Sequence, residues 1–220
     1  MADATRPGLR ERKKQHTRET IARVALDLFD RQGFHATTIP QIAEAADVSP
    51  RTVSSYFPAK EELVFPDLRE ALTGLAERLE GRGPGESSIE AVRGWIHDQL
   101  PLWEERVEQS RRQRRLLATE ESLAAYERGQ MLEAERLLVR AIAEDLGASP
   151  DELEPRMAAA ATLAVFDVLG AEGDAADECD ASERLPLEER REEAVRLVDR
   201  ALLFVAAGIR ALQADDAAAA

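Results

Sequence analysis

Between positions 51 and 60, Arg51, Thr52, Ser54, Ser55, Tyr56 and Lys60 gather a guanidinium, three aliphatic hydroxyls, a phenol and an ammonium. All are hydrogen-bond donors and none is an anion at neutral pH. Such a set is suited to recognising a surface rich in acceptors and negative charge. An Arg in particular can fork onto two acceptors at once, as on the edge of a guanine. Groups that could make or break bonds are not assembled anywhere. The three histidines, His16, His35 and His97, are scattered, and the single cysteine, Cys179, sits among acidic residues that disfavour its thiolate. Neither a glycine-rich phosphate loop nor a metal-ligand spacing occurs, so no catalytic group, metal or cofactor is expected.

Two short helices must position these donors, and their ends are the best specified part of the chain. Thr38 followed by Gln41 is a capping box, with Pro40 near the first helical position, where a missing N–H costs nothing. Ile39, Ile42, Ala43 and Ala46 then give one small apolar face, and the helix stops at Asp47 in the turn Asp47-Val48-Ser49. Ser49-Pro50 caps a second helix from Pro50 to about Tyr56. Val48, Val53 and Phe57 can face a shared core, which leaves Arg51, Thr52, Ser54, Ser55 and Tyr56 outward. A helix held in this way matches what a major-groove reading helix needs; an ordinary helical hairpin fits the same pattern. Upstream, Ile21, Val24, Ala25, Leu28 and Phe29 form an amphipathic stripe ending at Gln32-Gly33, with Phe34 beyond. Downstream, a further helix is expected from about Ala59 to Leu79.

The segment from about residue 15 to 65 resembles the N-terminal DNA-binding domain of the TetR (tetracycline repressor) family of bacterial transcription regulators. The matching residues are Ala25, Leu28, Phe29, Gly33, Phe34, Thr37, Thr38, Ile42, Ala43, Ala46, Val48, Ser49, Thr52, Val53, Tyr56, Phe57, Lys60, Glu61 and Leu63. The resemblance implies contacts with a double-stranded DNA operator at Thr38 and Pro40, and at Pro50, Arg51, Thr52, Ser55 and Tyr56, with Lys60 on a phosphate. Arg51 is the residue expected to read a base, and Thr38, Tyr56 and Lys60 to position the domain. The chain departs from the family at Asp47, where Gly is usual, and at Ser54, where an aromatic residue is most common. Asp tolerates a left-handed backbone better than most residues, so the turn is expected to form.

Charge points the same way. Residues 1–60 hold ten Lys/Arg against seven Asp/Glu, a net of +3, whereas the whole chain is −14 and residues 61–220 therefore −17. A mildly basic end on an acidic body orients a molecule toward a polyanion. Arg6, Arg10, Arg12, Lys13 and Lys14 precede the first helix in a Gly/Pro-containing stretch and are expected to form a basic arm over residues 1–14 that reaches along phosphates. Arg111, Arg112, Arg114 and Arg115 read as a solvated helix face.

The whole chain reads as all-α, since no sustained alternation of β-branched residues marks a strand. Residues 15–60 are expected to form the helix-turn-helix DNA-binding domain, 61–214 a helical ligand-binding and dimerisation domain, and 215–220 a frayed tail. Ser87-Glu90 forms another capping box, followed by a helix bent at Pro101. A long helix should run from about Glu121 to Leu146, another from Ser149-Pro150, and a last one over 187–212, with an acidic loop at 173–183. In the final two helices, about 150–172 and 187–212, apolar residues cover more than one face, so one face is expected to pack internally and the other to meet a twin chain. The resemblance implies the same homodimer, and an unknown small-molecule effector; Trp95, Trp103, Tyr126, Met131, Met157, Phe166 and Asp167 are its candidate contacts. Nothing resembles a membrane span or a signal peptide, and the cytoplasm is the expected compartment. The rival reading is a helical ligand-binding or scaffold protein whose hairpin has lost DNA binding.

Overall fold

The computed structural model describes the backbone of residues 8–105, 107–178 and 187–219, with side chains except at Glu11, 102–108, 167–178, Leu187 and 215–219. Every regular element among these is helical: α1 Leu9–Gln32, α2 Ile39–Ala45, α3 Pro50–Tyr56, α4 Leu68–Glu80, α5 Ser88–Glu105, α6 Val107–Thr119, α7 Glu121–Leu146, α8 Leu153–Glu178 and α9 Leu187–Ala219. No helix among the described residues is long and apolar enough to cross a membrane.

Two compact units result. The first takes in the described residues up to Ala71 together with those between Arg106 and Gln130. Its core joins Ile21, Ala25 and Phe29 of α1 to Phe34, Ile42, Val53, Phe57, Leu63 and Val64, and is completed by Leu116 and Leu123. Residues 61–71 and 107–130 thus fold with the N-terminal helices, because α6 carries an apolar residue at Leu116 and a matched set of polar ties. Arg112 reaches Asp30 at 2.6 Å and Asp27 at 2.7 Å, and Gln113 donates to the Val64 carbonyl at 2.6 Å. The basic segment expected to be a solvated face therefore docks at Arg112. The acidic residues on the outer side of α1 supply its partners.

The second unit comprises the described residues of Leu72–Glu105 and those from Met131 onward. Helix α9 packs against both α8 and α5. Val198, Leu202, Val205 and Ile209 are buried along one face of α9, against a core that includes Ile89, Val92, Ile96, Leu138, Ile142, Ala159 and Val165. Asp199 ties α9 to α5: Arg93 grips its two oxygens at 2.6 and 2.7 Å, and His97 lies 2.9 Å away. The Arg93 hydrogen bonds, then His97, hold the Asp199 carboxyl below its ordinary range against the opposing effect of burial. The Ser87-Glu90 capping box forms as expected, with the Glu90 carboxylate accepting from the Ser87 N–H at 2.9 Å.

Several boundaries differ from expectation for local reasons. Helix α1 begins at Leu9 beyond Gly8, so Arg10, Arg12, Lys13 and Lys14 lie in its first turns rather than in an extended arm. Nothing after Gly8 breaks the helix, and Arg, Lys and Gln are strong helix formers. The helix expected from about Ala59 to Leu79 is divided into a 3₁₀ turn, Glu61–Leu63, and α4. Pro66 lies between them; it lacks an N–H and disfavours α backbone at the residue before it. Helix α8 continues to Glu178 through the start of the expected acidic loop, and α9 runs to Ala219 through the expected tail, as the alanines of both segments permit. Residues 179–186, including Cys179, lie outside the described residues, as do residues 1–7 with Arg6.

Asp47 adopts φ 54°, the left-handed region its side chain tolerates. Asp47→Val should therefore destabilise the first unit by about 1–2 kcal/mol, the cost of left-handed backbone for a residue bearing a branched Cβ. Asp47→Gly should stay near the parent, since relief in the fold is offset by a looser unfolded chain. Hydrogen exchange of the Val53 and Phe57 amides, which report on this unit, provides the measurement.

Candidate nucleic-acid interface

Helices α2 and α3 contain seven residues each, so their stability rests on how their ends are satisfied. At the start of α2 the Thr38 side chain accepts from the Gln41 N–H, and the Gln41 side chain accepts from the Thr38 N–H at 2.8 Å. At its close, the Val48 N–H reaches back to the Ala43 carbonyl at 2.9 Å across the left-handed Asp47. Ser49 then caps α3 by accepting from the Thr52 N–H at 3.0 Å. The expected turn and both caps are present.

Inward, α3 buries Val53, and Phe57 closes the core behind it. Outward, Arg51, Ser54 and Ser55 are exposed and Thr52 and Tyr56 half-buried, so the donors share one side of a helix clamped from the other. Pro40 and Pro50 are exposed at the starts of the two helices. Two of the expected contact hydroxyls already have partners: Thr38 belongs to its capping box, and the Thr52 hydroxyl lies 2.8 Å from that of Ser49.

Lys60 is placed differently from a phosphate-seeking cation. Its ammonium donates to the Phe34 carbonyl and lies 4.4 Å from the Phe34 ring centroid and 5.7 Å from that of Phe29. Burial lowers its pKa, with Glu61 and Glu120 opposing the shift. In this structure Lys60 ties the turn after α1 to the segment after α3, and a phosphate would have to draw it away from that carbonyl.

Arg18 is a tie at the end of α3 that sequence reasoning missed. Its guanidinium donates to the Tyr56 carbonyl at 2.9 Å and to the Pro66 carbonyl, lies 4.5 Å over the Phe57 ring, and approaches Glu70 at 3.6 Å. It thereby satisfies a terminal carbonyl of α3 and fixes where that helix ends. A signal was present: Arg18 stands three residues before Ile21, so it borders the buried stripe of α1 rather than the solvent side.

Of the candidate effector residues whose side chains are described, Trp95 and Phe166 meet. Trp95 is buried with its ring edge-on to Phe166, at 6.2 Å between centroids, in the second unit. Tyr126 stacks on Phe65 at 6.1 Å in the first unit. Met131 and Met157 are exposed, and the side chains of Trp103 and Asp167 lie outside the described residues. The second unit instead holds a cleft of about 900 Å³ between the ends of α4, α5, α7 and α9, with Leu79, Arg82, Ile89, Ala141, Arg210 and Gln213 among its walls, and none of the seven candidates lines it.

The placement of Lys60 gives a test in the DNA-free protein. Lys60→Ala should weaken the first unit by about 1 kcal/mol, through loss of the carbonyl and ring contacts. Arg51→Ala should change it by less than about 0.5 kcal/mol, as expected of an exposed side chain. Protection of the Val53 and Phe57 amides against exchange distinguishes the two.

Comparison with known proteins places these elements. Residues 21–65 match the model of bacterial regulatory proteins of the tetR family, and residues 86–210 match that of the MftR C-terminal domain, which alone spans more than half of the chain. The HTH-type transcriptional regulator TcmR of Streptomyces glaucescens is 42% identical over 88 residues, 40% of this chain and 39% of TcmR, so the match spans well under two thirds of that relative. In fold the chain is similar to SmeT in its triclosan complex, with a TM-score of 0.58 at 19% identity over 86% of this chain and 91% of that one. SmeT is described as the repressor of the Stenotrophomonas maltophilia multidrug efflux pump SmeDEF. It is also similar to NalD, the secondary repressor of the Pseudomonas aeruginosa pump MexAB-OprM, with a TM-score of 0.50 at 20% identity over 86% of this chain and 97% of NalD. These relatives are transcriptional regulators rather than enzymes, and the chain belongs to the TetR family of bacterial regulatory proteins.

Proposed function

We propose that this regulator acts as a homodimer that binds a palindromic DNA operator through α3 and is released by a small-molecule effector, so that it represses the genes it controls. The observation that carries the reading is the outward donor set of α3 on a helix fixed at both ends, by Ser49 at its start and by Arg18 at its close. In this reading Thr38, Pro40, Pro50, Arg51, Thr52, Ser55, Tyr56 and Lys60 form the contact surface, with Arg51 on a base edge. Lys60 joins it by exchanging the Phe34 carbonyl for a phosphate.

Support for the dimer comes from the apolar residues that a single chain leaves in water. Along α9, Leu203 and Phe204 are 61% and 78% exposed, on the side away from buried Val198, Leu202 and Val205, and along α8 Leu153 and Met157 are 62% and 61% exposed. A second copy covering these residues would remove them from solvent. Two-fold symmetry would set the two α3 helices about 34–36 Å apart, one turn of duplex. The effector is assigned to the second unit. A coupling of about 1–3 kcal/mol between effector and operator would change operator affinity about 5- to 150-fold. Residues 15–60 thus serve DNA, and residues within 61–214 serve effector and partner.

Two outcomes are expected. On a duplex selected from a random-sequence pool, Arg51→Ala should weaken binding and relax discrimination at one base pair per half-site by about 1–3 kcal/mol; equal loss on all sequences, read by mobility shift, would remove Arg51 from base reading. Phe204→Glu should convert a dimer at micromolar concentration into a monomer in sedimentation, and a parent chain that is itself monomeric would overturn the assembly. The rival reading, a helical protein that has lost DNA binding, rests on Ser54 in place of an aromatic residue; it is favoured if no duplex is bound at low salt.

A further inference from the structure

Arg18 is a cation whose side chain is only 13% exposed, and it is no part of the contact surface proposed for DNA. Its guanidinium holds carbonyls from two segments at once: that of Tyr56, the last residue of α3, at 2.9 Å, and that of Pro66, two residues before α4. It also lies 4.5 Å over the ring of Phe57, which is buried in the core behind α3. The remaining nitrogen, Nε, is buried without a hydrogen bond among the described residues and approaches Glu70 of α4 at 3.6 Å. Spanning two carbonyls in this way takes a planar fork with donors on separate nitrogens, which a lysine ammonium does not offer.

We infer that Arg18 is a positioning residue for sequence discrimination: without touching DNA, it sets the tilt and rotation at which α3 presents Arg51 to a base edge. The inference rests on the proposed reading of DNA by α3 and goes beyond it by naming a buried residue on which that reading depends. Helix α3 has seven residues, about 10 Å at 1.5 Å per residue, so a tilt at its Tyr56 end is carried to Arg51 with little loss. Both holds on that end, the Tyr56 carbonyl and the Phe57 ring, are contacts of the one guanidinium. A two-pronged contact to a base edge is the interaction such a tilt harms most, because hydrogen bonds weaken steeply as their angle departs from linear. Two other roles make different predictions. A role confined to folding lowers the folded fraction and so weakens binding to every sequence by the same factor. A direct phosphate contact lowers the salt dependence of binding.

The test compares the full-length parent with Arg18→Gln, Arg18→Lys and the control Arg112→Gln, which removes a different polar tie of the same unit, at Asp27 and Asp30. Protection of the Val53 and Phe57 amides reports whether each variant is folded, and Arg18→Lys carries the comparison if Arg18→Gln is not. Each is titrated against a duplex selected by the parent and against singly substituted duplexes, from low to moderate salt. Arg18→Gln should cut discrimination at the base pair relaxed by Arg51→Ala by about 3- to 10-fold, Arg18→Lys should cut it less, and Arg112→Gln should leave it as in the parent. In an Arg51→Ala background Arg18→Gln should cost less than about twofold further discrimination, since both changes remove the same contact. The slope of log K against log salt should match the parent's. Equal loss on all duplexes overturns the inference, as does an equal loss of discrimination in Arg112→Gln, and a slope lowered by about 1 per protomer gives Arg18 to a phosphate instead. All three leave operator binding standing. A parent that selects no duplex at low salt, or an Arg51→Ala variant that relaxes no base pair, overturns the reading by α3 and this inference with it.

Discussion

Helix ends are the constraint on which the first unit depends. A seven-residue helix has almost as many terminal N–H and C=O groups as internal ones, and helices this short do not persist in water by propensity alone. Each end of α2 and α3 is accordingly satisfied by a specific group: the Thr38-Gln41 box, the backbone bond from Val48 across left-handed Asp47, Ser49, and Arg18 at the Tyr56 carbonyl. The core of Phe29, Ile42, Val53 and Phe57 then fixes the rotation of α3 about its axis. With its ends and rotation both set, the outward placement of Arg51, Ser54 and Ser55 follows without any contact of their own.

Most of that was readable from residue types. Capping boxes and Ser-Pro starts are local chemistry, so the starts of α2 and α3 and the box at Ser87-Glu90 fall where they were expected. Long-range ties were not readable. Arg112 read as part of a solvated face, Lys60 as a phosphate contact and Arg18 as nothing in particular, yet each is anchored to groups tens of residues away, at Asp27 and Asp30, at Phe34, and at Tyr56 and Pro66. Charge patterning reports that a cation is present but not which carbonyl or carboxylate tertiary packing will bring to it. The basic residues from Arg10 to Lys14 looked like an arm, although no helix breaker separates them from the rest of α1.

In the second unit composition reports apolar breadth but not which residues converge. Apolar breadth in α8 and α9 was legible, and the structure leaves Leu153, Met157, Leu203 and Phe204 exposed beside a buried face. Among the aromatic candidates, Trp95 and Phe166 pack on each other and Tyr126 stacks on Phe65. The cleft that does form is walled by residues such as Arg82, Ile89 and Gln213, whose convergence no periodicity announces.

The central claim is that DNA meets this protein at α3. Hydrogen–deuterium exchange of the full-length chain, with and without a duplex selected by the protein itself, tests it most directly. The account predicts added protection across residues 49–57. Protection confined to α8 and α9, with residues 49–57 unchanged under saturating duplex, would contradict it.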